Sequence, residues 1–405
     1  MAGTTRQDIM AGLGAGSQAF SKLTRKIVLL ASEDSLVLSH CRALVGVLTE
    51  LAREVVVVTR SSGRLGEIEA LGTSVIDFDG RASWSNPAQD AATAWKLARI
   101  LEPEGADVTH LLGVKPATLG CLALKLVAAK HVVMHLPDLD ALEPASSEQR
   151  WFYRPTAMKL IASQVRKPNS FLLVEDPDDL ADLRARGAEP SARFAVLGGA
   201  GVDPEVYPVL PHSQSETPIA AYVGPMTKSA GVEVLMRAFD RVWARGVRLH
   251  LELIGEPATE GDDSVSAQDL AQWALHPGVS LPGPVADVRE VWRRAEICVL
   301  PGLGRQGTPR TLVEAAACSR ALVVSERAGG RNFVRDGVEG LVVPPADIAA
   351  LAEALERLAR DGELRERLGE GARLRVLHGY TEAHVKEALR GAYLSLLGNQ
   401  ALPRS

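Results

Sequence analysis

The sequence of 405 residues is poor in aromatic residues, in cysteine and in long apolar runs. No stretch approaches the roughly 20 consecutive apolar residues that a membrane-spanning helix requires. Aromatic residues make up 4% of the chain and the formal net charge is −5, whereas a nucleic-acid-binding protein usually carries a basic excess. These absences argue against a membrane-spanning protein and against a nucleic-acid partner.

Cysteine is limited to Cys41, Cys121, Cys298 and Cys318, which are scattered without the spacing of metal ligands. We expect no acid pair of the Asp-x-Asp type at the binding cleft and therefore predict no metal site. The thiols are interpreted as free and buried, as is usual in a reducing compartment. Residues 1–23 lack the apolar core of a signal peptide, so we expect a flexible extension there and a cytoplasmic protein.

Short apolar runs that alternate with amphipathic segments are abundant. Apolar residues make up 46% and charged residues 23% of the sequence, which is typical of a soluble globular protein. The runs at Lys26–Ala31 and Glu54–Thr59 predict strands buried on both faces, and Leu36–Leu51 between them has helical spacing. The alternation continues, so residues 24–203 predict a doubly wound α/β domain.

Four prolines interrupt this alternation between residues 204 and 218, which is the composition of a linker. The alternation restarts over 219–380, and a last amphipathic helix is predicted at 381–397, packed back on the first domain. The predicted fold class is α/β, with two Rossmann-like doubly wound domains facing a cleft. Such folds bind ligands at the carboxyl ends of their strands.

The stretch 301–340 carries the strongest functional signal. It reads as a strand end, a glycine-rich loop, a helix, a second strand and a short helix at Gly330–Arg335. A loop between strand and helix commonly holds phosphate or sugar hydroxyls, because the first N–H groups of a helix are free. Here those groups are predicted to be the N–H groups of Thr311 and Leu312, and Gly307 permits close approach of a ligand.

Several segments of the second half resemble the C-terminal domain of family 4 glycosyltransferases. They are AYVGPMTKSAGVEVLMRAF at 221–239, LELIG at 251–255, LPG at 281–283, the 301–340 stretch and GARLRVLHGY at 371–380. Segments of the first half are similar to one branch, the bacterial enzymes that extend lipid-linked oligosaccharides, close to the N-acetylgalactosaminyltransferases. These are HLLGVKPATLGCLALKL at 110–126, EDPDD at 175–179 and LGGAGVD at 197–203. The resemblance extends over residues 24–395, and it implies a GT-B fold and a retaining transfer from a nucleotide-sugar donor, without a cofactor.

The resemblance places the nucleotide-sugar on two loops. Gly224, Lys228 and Gly231 belong to the first loop. The second contributes Arg305, Gly307, Thr308, Pro309, Arg310, Thr311 and Leu312. Glu314, in the helix that follows, matches the family acid that binds the ribose hydroxyls. A carboxylate suits this task because it accepts hydrogen bonds from both hydroxyls of a diol.

Three donor positions depart from the family pattern. Pro225 and Ala230 replace the arginine and lysine of the first loop, and Gln306 replaces the first acid of the second loop. Lys228 and the two arginines of the second loop either supply displaced positive charge or are solvated surface residues. Gln306 can hydrogen-bond a sugar hydroxyl, but it has no charge to stabilise an oxocarbenium-like transition state and cannot act as a base.

The acceptor is expected on the first domain. His110, Lys115 and His135 are predicted near strand ends that face the cleft. His110 is a candidate catalytic residue, with a packed core histidine as the alternative. Asp138 is a candidate base for an acceptor hydroxyl, with an exposed loop acid as the alternative. The segment 150–167 combines aromatic and basic residues, which predicts either peripheral contact with a membrane surface or an ordinary helix whose aromatics pack inward.

Two functions therefore remain open from the sequence. The first is an active retaining glycosyltransferase that moves a sugar from a UDP-sugar to a lipid-linked or polysaccharide acceptor in cell-surface glycan biosynthesis. The second is a catalytically impaired relative that keeps the fold and acts as a partner or regulator of an active transferase. The fold does not distinguish them, because function resides in the site.

Overall fold

The computed structural model describes residues 22–80, 86–137, 147–187, 189, 193–211, 217–257, 263–303, 307–326 and 332–398. The described residues form two compact units. The first unit comprises the chain up to Ala200 together with the residues from Val385 onward, and the second unit comprises Gly201–His384. Residues 1–21, which include nearly all of the predicted N-terminal extension, lie outside the described residues.

The first unit is built on one parallel sheet of seven strands in the order β3-β2-β1-β4-β5-β6-β7. Its strands are β1 (Thr24–Glu33), β2 (Ala52–Arg60), β3 (Ser74–Asp77), β4 (Val108–Leu112), β5 (His131–Leu136), β6 (Ser170–Val174) and β7 (Phe194–Val196). Its helices are α1 (Asp34–His40), α2 (Arg42–Leu51), α3 (Leu65–Glu69), α4 (Pro87–Glu104), α5 (Val114–Ala123), α6 (Ser147–Val165), α7 (Pro177–Ala185) and most of α14 (Glu382–Leu397).

The second unit repeats this plan with six parallel strands in the order β10-β9-β8-β11-β12-β13. Its strands are β8 (Ile219–Val223), β9 (His250–Ile254), β10 (Val279–Ser280), β11 (Ile297–Leu300), β12 (Ala321–Ser325) and β13 (Gly340–Val343). Its helices are α8 (Val232–Ala244), α9 (Ala267–Ala274), α10 (Arg289–Arg294), α11 (Arg310–Ala317), α12 (Ile348–Arg360) and α13 (Gly362–Leu377). In both sheets the order reverses beside the first strand, and this reversal is the place where doubly wound folds bind ligands.

Alternate residues of β1 explain why its sequence is an unbroken apolar run. Ile27 and Leu29 belong to one buried cluster, whereas Val28 and Leu30 belong to a second cluster. Successive side chains of a strand point to opposite faces, so both faces of this sheet are covered. The predicted α/β class with two doubly wound sheets is confirmed by these two sheets.

Two predicted helices differ from the structure. The predicted helix Leu36–Leu51 is interrupted at Cys41, which caps α1 and precedes α2. The predicted helix Gly330–Arg335 is wrong over its described part, because residues 332–333 form a turn and residues 334–335 have no regular secondary structure. There the Arg335 N–H donates to the carboxylate of Glu339 at 2.7 Å, so a local side-chain bond replaces helical backbone bonding.

The described part of the proline-rich segment packs within the second unit. Just before the segment, Val202 pairs with Thr381 as an isolated bridge, and within it Leu210 N–H donates to the Cys318 carbonyl at 3.4 Å. Among the described helices, none combines the length and the apolar character needed to cross a membrane.

Candidate functional site

The loop between β8 and α8 fits closely against its neighbours. Gly231 opens α8 with φ of 76°, and a Cβ there would lie 2.3 Å from the carbonyl oxygen of Pro301. A Cβ on Gly255, after β9, would lie 1.9 Å from the carbonyl oxygen of Gly224. These clashes require glycine at both positions, so the loops that follow β8, β9 and β11 are in backbone contact.

The backbone N–H groups of this loop are already bonded. Each amide from Met226 to Gly231 donates to an acceptor within the second unit. Asp263 takes the largest share, since its carbonyl accepts from Lys228 N–H at 2.7 Å and its carboxylate accepts from the N–H and hydroxyl of Ser229 at 2.9 and 2.5 Å. Asp263 therefore occupies the N–H and hydroxyl of Ser229, and Gly224, Lys228 and Gly231 frame the loop without offering free amides.

The first-loop positions where the resemblance leads us to expect cations differ in exposure. Ala230 is buried, whereas Pro225 and the nearby Lys228 are exposed. The hydroxyl of Tyr222 donates to the Pro225 carbonyl at 2.8 Å and so holds the turn from inside. Positive charge in this loop thus comes from Lys228 alone among residues 224–231.

The loop between β11 and α11 is only partly described. Arg305 and Gln306 lie outside the described residues. Gly307 and the buried Thr308 follow, and Pro309 immediately precedes the first helical residue, Arg310. The loop begins where the hydroxyl of Ser325 donates to the Gly302 carbonyl, and Leu303 N–H donates to the Ser229 carbonyl at 2.8 Å.

Of the two amides predicted to be free at the start of α11, one is not. Leu312 N–H donates to the Pro309 carbonyl at 3.0 Å in a tight first turn, so that prediction was wrong. None of the described residues accepts from Thr311 N–H. The first turn of α11 therefore offers the Thr311 amide and the side chain of Arg310.

Glu314 lies one turn into α11 with 4% of its surface exposed. Its Oε1 accepts two hydrogen bonds, from the hydroxyl of Tyr207 at 2.8 Å and from Nε of Arg310 at 2.8 Å. No described residue donates to its Oε2, and Oε2 is not among the fully enclosed atoms that lack a partner. One carboxylate oxygen is thus held by the protein while the other is open to a ligand.

The surroundings of Tyr207 and Arg310 keep both side chains protonated, so both can donate to Glu314. Burial, then the charge of Glu314, raises the pKa of Tyr207, so its phenol stays protonated and donates. Burial alone would lower the pKa of Arg310, but the hydrogen bond and charge of Glu314 outweigh it and raise that pKa. A buried carboxylate is tolerated here because it is paired and hydrogen-bonded.

The structure encloses His110, which sequence reasoning placed near a strand end. It is the third of five residues of β4 and is fully buried, so that placement was wrong. Its Nδ1 lies 2.6 Å from the hydroxyl of Tyr393 on α14, and its ring stacks on that phenol. Burial, reinforced by the nearby His135, holds the pKa of His110 well below its usual range. This is the packed core histidine of the alternative interpretation.

His135 and Lys115 lie closer to the carboxyl edge of the first sheet. His135 is the penultimate residue of β5, and burial lowers its pKa to about 4. Its ring centroid lies 5.7 Å from that of His110, and neither of its ring nitrogens has a hydrogen-bond partner among the described residues. Lys115 lies in the first turn of α5, where burial and the charge of Arg60 lower its pKa. Asp138 lies outside the described residues.

Two residues of the second-unit site were missed from the sequence. Tyr207 belongs to the proline-rich segment, where composition indicated only a linker. Asp263 follows a loop after β9 that carries no recognisable motif. Neither has a local sequence signal, because each acts on a partner distant in the chain. No group of three His, Cys, Asp or Glu side chains within the described ranges is arranged to hold a metal ion.

The chain is similar to known glycosyltransferases in sequence. A family model described as Glycosyl transferases group 1 matches residues 217–361, in the second unit. The chain is 32% identical over 318 residues to alpha-maltose-1-phosphate synthase of Mycolicibacterium smegmatis, which covers 72% of this chain and 79% of that protein. It is 28% identical over 179 residues to the capsular polysaccharide biosynthesis glycosyltransferase CapM of Staphylococcus aureus, covering 44% of this chain and 46% of CapM. The chain spans about half the length or less of several curated relatives that it matches.

The solved structure of Anabaena Alr3699/HepE in complex with UDP superposes with a TM-score of 0.73 at 16% identity, covering 92% of this chain and 100% of that one. At this identity the likeness establishes the fold alone, which is the two-domain GT-B fold. The relative that is 32% identical is matched over more than two thirds of its length, and the family model falls on the unit that holds Glu314. The chain belongs to the group 1 glycosyl transferases.

Proposed function

We propose that this chain is a retaining glycosyltransferase that moves a hexosyl or N-acetylhexosaminyl group from a UDP-sugar. We propose a lipid-linked or polysaccharide acceptor in cell-surface glycan biosynthesis. The observation that carries the donor assignment is the buried Glu314 carboxylate, with Oε1 held by two donors and Oε2 open. The name of CapM, for capsular polysaccharide biosynthesis, supports the acceptor class, and the UDP complex of the structural neighbour supports the nucleotide.

The proposed chemistry assigns separate tasks to the first turns of α11. Oε2 of Glu314 accepts from the ribose hydroxyls, and we assign compensation of the diphosphate charge to Arg310 and the Thr311 amide. As the bond between the anomeric carbon and the diphosphate breaks, the bonding electrons leave with UDP. The acceptor oxygen bonds to the same face of the sugar, and its proton passes to the departing diphosphate oxygen. Positive charge and amide donors lower the barrier because they stabilise the departing diphosphate.

A second candidate function is a donor-site relative without turnover that partners an active transferase. The specific observation in its favour is that the Asp263 carboxylate accepts the hydrogen bonds of the Ser229 N–H and hydroxyl. The same loop has Pro225 and Ala230 where the resemblance leads us to expect cations. An acid beside the diphosphate position repels the donor, since like charges oppose each other at short range.

Binding and turnover separate the two candidates. We expect UDP and a UDP-sugar to raise the melting temperature of the full chain, because a ligand at 100 times its Kd adds about 2.7 kcal/mol of stability. Glu314→Gln, which keeps the shape and removes the charge, is the matched control and should lose most of this shift. Release of UDP from UDP-sugars in the presence of a saccharide or polyprenyl-phosphate acceptor supports the first candidate. Binding without release supports the second, and no shift with any nucleotide contradicts the donor assignment.

We also propose peripheral contact of the segment 150–167, most of which is in α6, with an anionic membrane surface. Lys159, Arg166 and Lys167 are exposed, whereas Ala157 and Ile161 face the core. The side chains of 147–154, including the predicted aromatic cluster, lie outside the described residues. Sedimentation with vesicles containing anionic lipid tests this, and we expect binding that weakens with salt. Equal sedimentation with neutral vesicles contradicts it.

A further inference from the structure

Tyr207 is the one side chain among the described residues of the proline-rich segment that donates to Glu314. It precedes the region matched by the family model, yet it is 8% exposed and its hydroxyl donates to Oε1 of Glu314 at 2.8 Å. The two residues are 107 positions apart in the chain. A contact between residues so far apart in the chain requires other interactions that fix the segment against α11.

Arg373 of α13 fixes the segment against α11 through hydrogen bonds of its guanidinium. Its Nη1 donates to the carbonyls of Tyr207 and Ala317 at 2.7 and 2.6 Å, and its Nη2 donates to the Pro204 carbonyl at 3.3 Å. Ala317 is the last residue of α11, so one guanidinium joins the segment to the helix that carries Glu314. Tyr207 N–H also donates to the Asp203 carbonyl at 3.0 Å, which fixes the local turn. The phenol is therefore held at a defined height along α11.

This fixed phenol determines the orientation of the carboxylate. The terminal torsion of a glutamate is broad, so an unheld carboxylate exchanges its two oxygens. Tyr207 and Arg310 together saturate Oε1, which leaves Oε2 as the oxygen that faces a ligand. Since Tyr207 can donate but carries no charge, its effect on a ligand is through geometry.

We propose that Tyr207 is a positioning residue that orients Glu314 toward the ribose hydroxyls of the donor and so sets the preference for a ribonucleotide over a 2′-deoxyribonucleotide. This inference rests on the proposed function of Glu314. It concerns a residue that the family's loop motifs do not include. A merely structural tyrosine would affect the binding of both nucleotides equally, whereas a positioning residue affects the ribonucleotide selectively.

The test compares the Kd of UDP with that of 2′-deoxy-UDP by titration calorimetry. For the unmodified chain we expect UDP to bind about tenfold or more tightly, as for a hydrogen bond to a charged group. Tyr207→Phe should reduce this ratio by about threefold or more while leaving the Kd of 2′-deoxy-UDP nearly unchanged. In the Glu314→Gln background, Tyr207→Phe should leave the ratio unchanged, because the two residues act through one contact.

Tyr380→Phe is the matched control. The Tyr380 hydroxyl lies in the same unit and bonds to Arg375 and to the Asn332 carbonyl, not to Glu314. An equal loss of affinity for both nucleotides in Tyr207→Phe, or an unchanged ratio, overturns the role of Tyr207. If Glu314→Gln abolishes the preference and Tyr207→Phe does not, only this inference fails. If the unmodified chain binds neither nucleotide, the proposed function fails and the inference with it.

Discussion

Two buried clusters, one in each unit, use similar residue types in opposite ways. In the second unit, Tyr207, Arg310 and Glu314 form a charged cluster in which one carboxylate oxygen stays open. In the first unit, His110 and Tyr393 form a neutral pair beside His135, and the ring of His110 is fully enclosed. A tyrosine hydroxyl holds the key side chain in both. The difference is whether an atom with unused hydrogen-bonding capacity faces outward, and this separates a candidate binding site from a core contact.

The largest expected effect breaks the neutral cluster. Tyr393→Ala removes a fully buried ring and leaves His110 without its partner, so the free energy of unfolding should fall by about 3–5 kcal/mol. Denaturant titration measures this loss. Tyr393→Phe, which removes only the hydroxyl, should cost about 1–2 kcal/mol. Below the unfolding transition the Kd of UDP should not change, and a large change would mean that the neutral cluster serves the donor site.

The next largest expected effect is the pH dependence of stability that arises from His135 in the same cluster. The pKa of His135 is about 4 in the folded chain and about 6.5 in an unfolded one, so the unfolded state takes up the proton first. Stability is fully present above pH 6.5 and is lost as the pH falls toward 4, by about 3 kcal/mol for this residue. Denaturant titrations from pH 7.5 to 4.5 should show a shallower decline for His135→Gln. Parallel declines in the two proteins would contradict a neutral, buried His135.

Glu314→Gln tests the charged cluster at its centre. The amide keeps the size of the side chain but weakens the hydrogen bonds to Arg310 and to a ribose diol. The Kd of UDP should rise by about tenfold or more, as for a lost hydrogen bond to a charged group. Calorimetry measures the Kd, and Glu353→Gln on α12 is a control with the same change of charge. Unchanged affinity would mean that the open oxygen is not a ligand contact.

The smallest expected effect concerns the loop beside the charged cluster. Asp263→Asn removes the negative charge that occupies Ser229, so the affinity for UDP should rise by about two- to fivefold at low salt. Asp240→Asn on α8, an exposed acid paired only with His276 among the described residues, is the control for net charge. A fall in affinity specific to Asp263→Asn would show that Asp263 orders the loop for the donor instead of opposing it.

Local patterns predicted the parts of the protein that depend on neighbours in sequence. The run Lys26–Ala31 predicted β1 because both faces of that strand are covered. Resemblance to a family motif singled out Glu314, which lies inside α11 and whose role as a donor contact stays a prediction. The prediction of a helix at Gly330–Arg335 was wrong over its described part, where the Arg335 N–H donates to the Glu339 carboxylate instead of to a helical carbonyl. The prediction of a free Leu312 amide was wrong because the Pro309 carbonyl accepts from it in a tight first turn.

The sequence by itself determined two doubly wound sheets, since these follow from periodicity, and its resemblance to a family motif singled out Glu314 as a candidate. The tertiary structure decided what the polar residues do. Tyr207 meets Glu314 over 107 positions, and His110 meets Tyr393 over 283 positions. Such contacts leave no local pattern, because they depend on how helices and loops pack after the sheets have formed. Packing therefore enclosed the predicted catalytic histidine and brought a tyrosine of the predicted linker to the carboxylate of Glu314.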